Sequence, residues 1–216
     1  MIIKKKYLII VVLIVAISST YYNQSLVEVK KNYTNTYSKV ITSKYPEISI
    51  LHSGNIILRR GYGMDSIVAA NFSNAEKRYS HAGIIIIEND KVFVIHSQES
   101  LPKGYDGVVK ESLSSYLKDV KIWAVYKFDI INSQKVLEYM KMMLKKNIKF
   151  DMDFDIKTND KMYCSEFIYK SFNAISVHQM IKASKRFMSK QYVTITDLYI
   201  NNYASLVTIS HNIVNK

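Results

Sequence analysis

The sequence predicts an α+β fold with a largely antiparallel sheet, and three observations predict it. Ala82 to Ile87 (AGIIII) is an unbroken apolar run. Glu88-Asn89-Asp90 and a returning KVFVIH over Lys91–His96 follow, which reads as a β-hairpin. Val120–Phe128 (VKIWAVYKF) alternates apolar and polar residues, as a half-buried strand does. Two later segments instead carry apolar residues three and four apart. In Ser133–Lys146 these are Val136, Leu137, Met140, Met143 and Leu144; in Tyr163–Ile175 they are Cys164, Phe167, Ile168, Phe172 and Ile175. Both read as amphipathic helices. Strands and helices mix without regular βαβ alternation, which argues for α+β over a doubly wound parallel sheet.

The remaining segments follow in chain order. Residues 1–22 read MIIKKKYLIIVVLIVAISSTYY, with Lys4–Lys6 as a basic start and an uninterrupted apolar run from Leu8 to Ile17. Ala16 and Ser18 place small residues where a signal peptidase looks. The stretch from Tyr7 to Tyr22 falls short of the ~20 residues that span a bilayer. An export signal cut near Ser19 is therefore expected, with an uncleaved N-terminal anchor as the alternative. Either places the rest of the chain outside the cytoplasm. Residues 23–50 are polar, with loosely spaced Val27, Val29, Val40 and Ile41, and read as a linker or connecting helix. A single domain is expected over 51–216. It opens with a strand at Asn55–Leu58 within GNIILRRG, then a helical period at Met64, Ile67, Val68 and Phe72, and its tail from Val193 has mixed β character.

Composition narrows the function classes. With 216 residues, 48% hydrophobic and 22% charged, the chain has the balance of a globular domain rather than a disordered one. Six Gly and two Pro exclude collagen-like and linker-type chains. A single Cys excludes an intramolecular disulfide and a zinc site built from several thiolates. The net charge of +12 invites a nucleic-acid reading, but the lysines are scattered and no stripe interleaves them with Gly and aromatics. A membrane surface or an anionic envelope substrate is the expected partner, and nucleic acid is not.

Three residues could carry chemistry: Cys164, His81 and His96. Cys164 opens a helix, preceded by the cap-like Asn159 and Asp160. A thiol in a first helical turn feels the positive end of the helix dipole and unpaired N–H groups, which lower its pKa and can hold an oxyanion. His81 begins one strand of the hairpin and His96 ends the other. If Asn89-Asp90 is the loop, Gly83 opposes His96 and His81 is its diagonal neighbour at roughly 7–8 Å. If Glu88-Asn89 is the loop, the two histidines face each other directly. Any even-length loop keeps them on one face, where a base and its orienting partner belong. His52, His178 and His211 have no such context and read as surface or packing residues. A Cys/His/His zinc site lacks any close ligand spacing.

In order, the blocks GNIILRRG, YSHAGIIIIENDKVFVIHS, YDGVVKESL, KFDMDFD and YCSEFIYKSF resemble the permuted papain-like amidases of the YaeF/YiiX type, relatives of the NlpC-type peptidases and the lecithin:retinol acyltransferase group. The resemblance runs from about Gly54 to Asp197. It implies a circularly permuted papain-like fold in which the histidine strands precede the cysteine helix. It also implies Cys164 as nucleophile, His81 as base and His96 in a third polar position that many relatives fill with Glu. On that ground His96→Glu is expected to keep or raise activity. Tyr163 beside the nucleophile is expected to help the oxyanion. Glu166 matches the motif in a supporting role, for example pairing with Arg59 or Arg60. The implied activity is cleavage of an amide bond in a peptide, peptidoglycan stem or lipid amide through a thioester, with no metal or organic cofactor. An acyltransferase using the same thioester, or a silent binding module, remain the alternatives.

Overall fold

The computed structural model describes residues 44–62, 71, 76–100, 105–129, 132–187 and 189–210. The expected leader at 1–22, most of the expected 23–50 linker, most of the helical period over Met64–Phe72, and His211 lie outside the described residues. Residues Ile41–Lys216 form one compact unit.

Six strands make one sheet: β1 (Ile56–Gly61), β2 (His81–Glu88), β3 (Lys91–Ser100), β4 (Tyr105–Ser112), β5 (Val120–Phe128) and β8 (Ala204–Ile209). Their order is β4-β3-β2-β1-β5-β8, and every neighbouring pair is antiparallel. A separate short hairpin joins β6 (Lys185–Phe187) to β7 (Lys190–Tyr192). The helices are α1 (Leu113–Tyr116), α2 (Ser133–Lys145) and α3 (Cys164–Ile175). The expected strand over Val120–Phe128 and both expected helices are therefore present, the latter two within a residue of their expected ends. The sequence patterns did not single out β4 or β6 and β7.

The central hairpin closes through Asn89 and Asp90, with Glu88 opposite Lys91. Both loop residues have positive φ, 49° and 60°, the mirror-image turn that matches strand twist and that Asn and Asp tolerate best. Ile84 opposes Ile95, so the next step along the ladder sets Gly83 opposite His96. Of the two registers the sequence allowed, this is the diagonal one.

The sheet is buried on both sides, which is why β2 reads as an unbroken apolar run rather than an alternating one. On one face Ile56, Leu58, Ala82, Ile84 and Tyr126 pack with Val136 and Met140 of α2 and Phe167, Ile168 and Phe172 of α3. On the other, Ile57, Ile85, Val94 and Val125 pack with Leu113, Tyr116 and Leu117. α3 packs across β2 and β3, and its first residue, Cys164, is met by the Ala82 N–H near the start of β2.

The chain leading into α3 is pinned to the sheet. Val108 N–H donates to the Ile148 carbonyl (2.9 Å), Lys149 N–H to the Asp160 carbonyl (3.0 Å) and Met162 N–H to the Lys149 carbonyl (2.9 Å). Ser97 Oγ of β3 donates to the Met162 carbonyl. Gly107, at φ +117°, permits this: a Cβ there would sit 1.8 Å from the Ile148 carbonyl oxygen. Asp160 is thus occupied as a backbone acceptor in this lock. The residue that caps α3 is Tyr163, not Asn159 or Asp160.

Candidate active site

The hairpin brings the two histidines together as its register requires. His81 Nε2 lies 2.8 Å from His96 Nδ1, and the rings meet edge to face with centroids 5.0 Å apart. Gly83 makes room for this, since a Cβ there would stand 3.2 Å from His96 Cβ and 2.4 Å from Val94 Cγ1. Tyr116, fully buried, closes over both rings at centroid distances of 5.9 Å from His81 and 5.0 Å from His96.

A third side chain, which the sequence patterns did not mark, continues the line. Val94 opposes Glu111 across β3 and β4, so Glu111 lies diagonal to His96 just as His96 lies diagonal to His81. Its Oε1 is 2.8 Å from His96 Nε2, and its Oε2 accepts from Ser115 Oγ at 2.6 Å. His81, His96 and Glu111 thus cross three strands on one face of the sheet. Glu111 lies in the block YDGVVKESL, but nothing local marks it; only the β3–β4 register brings it to His96.

The charges follow from these contacts. Burial would raise the Glu111 pKa, yet hydrogen bonds from His96 and Ser115 and the nearby Arg59 charge hold it down at about 2. Burial, reinforced by Arg59 and His96, pushes His81 well below 6.5. His96 is also lowered, chiefly by burial, with Glu111 opposing. Both rings are neutral at pH 7. An ionised carboxylate only accepts, so His96 Nε2 carries the hydrogen and its Nδ1 is a lone pair. His81 Nε2–H therefore donates to that lone pair, which leaves His81 Nδ1 free to take a proton.

Arg59 stands opposite His81 in the β1–β2 ladder. Its guanidinium stacks over the Tyr116 ring at 4.2 Å, donates to the Tyr116 carbonyl and donates to Gln98 Oε1 at 3.1 Å. Arg60 instead donates to the Lys77 carbonyl at 2.9 Å. Neither arginine pairs with Glu166.

Cys164 is half-buried at the first position of α3. Burial pushes its thiol up to about 11, against backbone N–H groups of Ala82, Ser165 and Cys164 itself and the charge of Arg59, which act to lower it. The expected lowering by the helix N-terminus is present but outweighed. The Ala82 N–H sets the sulfur beside the residue that follows His81. Tyr163 is held at the helix start: its N–H donates to Glu166 Oε2 at 3.2 Å, and its hydroxyl accepts from the Val193 N–H at 2.8 Å. Glu166 supports the helix start, and its partner is Lys170, one turn along, at 2.8 Å. His52 and His178 are exposed and stand outside this group.

The profile of a family described as a permuted papain-like amidase enzyme, YaeF/YiiX, C92 family, matches residues 50–206. The chain belongs to the C92 family. It is a cysteine hydrolase of the amidase and peptidase class with a permuted papain-like fold. Among solved structures, that of a protein described as metalloprotein YiiX from Escherichia coli O157:H7, DUF1105, matches at TM-score 0.59 and 17% identity, covering 73% of this chain and 96% of that one. Among curated proteins, none matches the sequence significantly.

That YiiX structure is called a metalloprotein, so the donors of the present site bear on whether it could hold a metal. In this C92 chain, His96 commits both ring nitrogens and His81 one, leaving His81 Nδ1 and Cys164 Sγ as donors. That falls short of the three protein ligands of a catalytic zinc centre. No group of three or more His, Cys, Asp and Glu among the described residues could hold a metal ion.

Proposed function

We propose that Cys164 is the nucleophile, His81 the general base and His96 its orienting partner in hydrolysis of an amide bond of an envelope substrate: a peptide, a peptidoglycan stem or a lipid amide. The observation that carries this reading is the 2.8 Å His81–His96 hydrogen bond, with the Cys164 sulfur held by the N–H of Ala82, the residue that follows His81. Sγ attacks the carbonyl carbon as its proton passes to His81 Nδ1. The N–H groups of Cys164 and Ala82, which act on the sulfur in the resting site, receive the oxyanion in this reading. The C–N bond then breaks, the amine leaves with the proton from His81, and a water deprotonated by His81 releases the acid and restores the thiol.

The basic start and ten-residue apolar run of the leader support export or membrane attachment of this domain. N-terminal sequencing from the expressing cell separates the two: a start near Ser19 means a cleaved signal, and intact Met1 in the membrane fraction means an anchor.

The decisive experiment incubates the protein with fragments of each substrate class and reads amine release by mass spectrometry. Cys164→Ala should abolish release, and His81→Ala should cost nearly as much, because nucleophile and base act as a unit. Unchanged release by Cys164→Ala would sink the reading. Release that depends on an added amine acceptor would make the protein an acyltransferase.

A further inference from the structure

We propose that Glu111 is a positioning residue of this site: it fixes the tautomer of His96, and through it the tautomer of His81, and supplies the carboxylate that the third position of this chain lacks. The proposal rests on the assignment of His81 as base, and its test keeps the two separable.

The geometry supports this in three steps. Glu111 Oε1 holds the His96 Nε2 hydrogen at 2.8 Å, and Ser115 Oγ fixes the other carboxylate oxygen at 2.6 Å. The carboxylate is therefore oriented from both sides. His96 is fully buried, so no water competes for its Nε2 hydrogen, and its Nδ1 must be the acceptor. Only then does His81 donate through Nε2 and present Nδ1. With the opposite tautomer of His96, its Nε2 lone pair would face the Glu111 carboxylate at 2.8 Å, and His81 would have to accept through Nε2 and carry its hydrogen on Nδ1.

The charge argument is independent of the tautomer. When His81 takes the thiol proton it becomes a buried imidazolium, with the Arg59 guanidinium opposite it in the ladder. Arg59 opposes that charge. His96 is neutral and stabilises an imidazolium less than a carboxylate would. Glu111 is the anion in line, one ring away. Of the groups facing this line, Tyr116 stays neutral because burial raises its hydroxyl pKa, and Ser115 is uncharged.

This reverses an expectation from the sequence. His96→Glu would set a second carboxylate against Glu111 in a buried place, where two like charges cannot both ionise cheaply. The substitution should therefore impair the site, and removing the charge of Glu111 should repair it.

The test uses the whole chain. Imidazole ¹⁵N chemical shifts report tautomers without any activity, and nitrophenolate release from p-nitrophenyl acetate reports acylation of Cys164. Wild type should show Nε2–H on both rings, and Glu111→Gln, whose amide oxygen still accepts, should keep that pattern. Glu111→Gln should slow acylation about tenfold, the equivalent of one pKa unit of lost support for the imidazolium. His96→Glu should slow it on the order of a hundredfold, and His96→Glu combined with Glu111→Gln should return to within about tenfold of wild type. A His96 ring protonated on Nδ1 would overturn the proposal, as would Glu111→Gln acylating at the wild-type rate while failing to rescue His96→Glu. If Cys164→Ala leaves nitrophenolate release unchanged, the hydrolase assignment fails instead, and the tautomers still decide the part played by Glu111.

Discussion

Replacing Gly83 with alanine should damage stability and chemistry together, by an amount the geometry bounds. The new Cβ would lie 2.4 Å from Val94 Cγ1, 3.2 Å from His96 Cβ and 3.3 Å from the Ile95 carbonyl oxygen. Carbon atoms rest at about 3.5–4.0 Å, so Val94 must retreat by about 1 Å. Val94 is fully buried among Ile57, Ile85 and Val125, and a β-branched side chain has little rotamer freedom with which to escape. Overpacking of this kind costs about 1–3 kcal/mol. For a domain of this size that lowers the melting temperature by about 2–12 °C. The strand would relieve the clash by moving away at His96, which stretches the 2.8 Å His81–His96 bond. Thermal unfolding followed by circular dichroism reads the first effect, and p-nitrophenyl acetate acylation reads the second. Gly83→Ala combined with Val94→Ala should destabilise by less than the sum of the two changes, because the clash requires both methyl-bearing partners. If Gly83→Ala melts and acylates as wild type does, close packing is not why glycine stands opposite His96.

The remaining predictions concern the lock on the cysteine segment and two titrations. Gly107→Ala should destabilise by at least about 2 kcal/mol, since it combines overpacking with a left-handed φ; chemical denaturation measures it, and a loss under about 0.5 kcal/mol, the range of an ordinary surface change, would contradict the 1.8 Å approach to Ile148. Iodoacetamide alkylation of Cys164 should rise with pH through a single inflection near 11, above the ordinary thiol range, and Arg59→Met should move it higher still; an inflection below about 7, in the range of activated thiols, would mean a preformed thiolate–imidazolium pair and contradict the upward shift of this thiol. Glu111 titrates at about 2 in the fold against an ordinary 4.5, so its stabilisation is complete above about pH 4.5 and lost as pH falls towards 2. The stability difference between wild type and Glu111→Gln should therefore be constant above pH 4.5 and shrink below it, as read by urea unfolding at each pH; a difference that grows on acidification would reverse the sign of the coupling.

How much of the site was legible depended on how local each relation was. The His81–His96 pair was readable because a two-residue loop fixes the register of a hairpin, and period-2 geometry then fixes the face. Helix α3 was readable because Phe167, Ile168 and Phe172 repeat at helical spacing. Its cap was misread because Asn159 and Asp160 have cap-like side chains. The better signal was Glu166, three residues past Tyr163, where a side chain reaches back to the N-cap N–H, with Lys170 one turn on as its ion partner. Glu111 was not legible, because its place beside His96 depends on the pairing of β4 with β3, which no two-residue turn dictates. The thiol pKa was not legible either. The dipole of a helix start is a local property, but the burial that outweighs it comes from the packing of distant segments.

Arg59 shows why these tertiary effects belong to one design. Placed opposite His81 and held by the Tyr116 carbonyl and Gln98, it favours a thiolate at Cys164 and disfavours a cation at His81 and His96. Burial adds to the second effect and opposes the first. The resting site therefore holds a neutral thiol and neutral imidazoles, and His81 keeps its Nδ1 lone pair at every pH above the lowered titration of the ring. Such a site does not store a reactive thiolate. On the mechanism we propose, His81 accepts the proton as the sulfur attacks, and the charge that appears on it is opposed by Arg59 and supported, one ring away, by Glu111. The balance between that guanidinium and that carboxylate, set by the registers of β1 with β2 and of β3 with β4, decides how far the proton transfer can run.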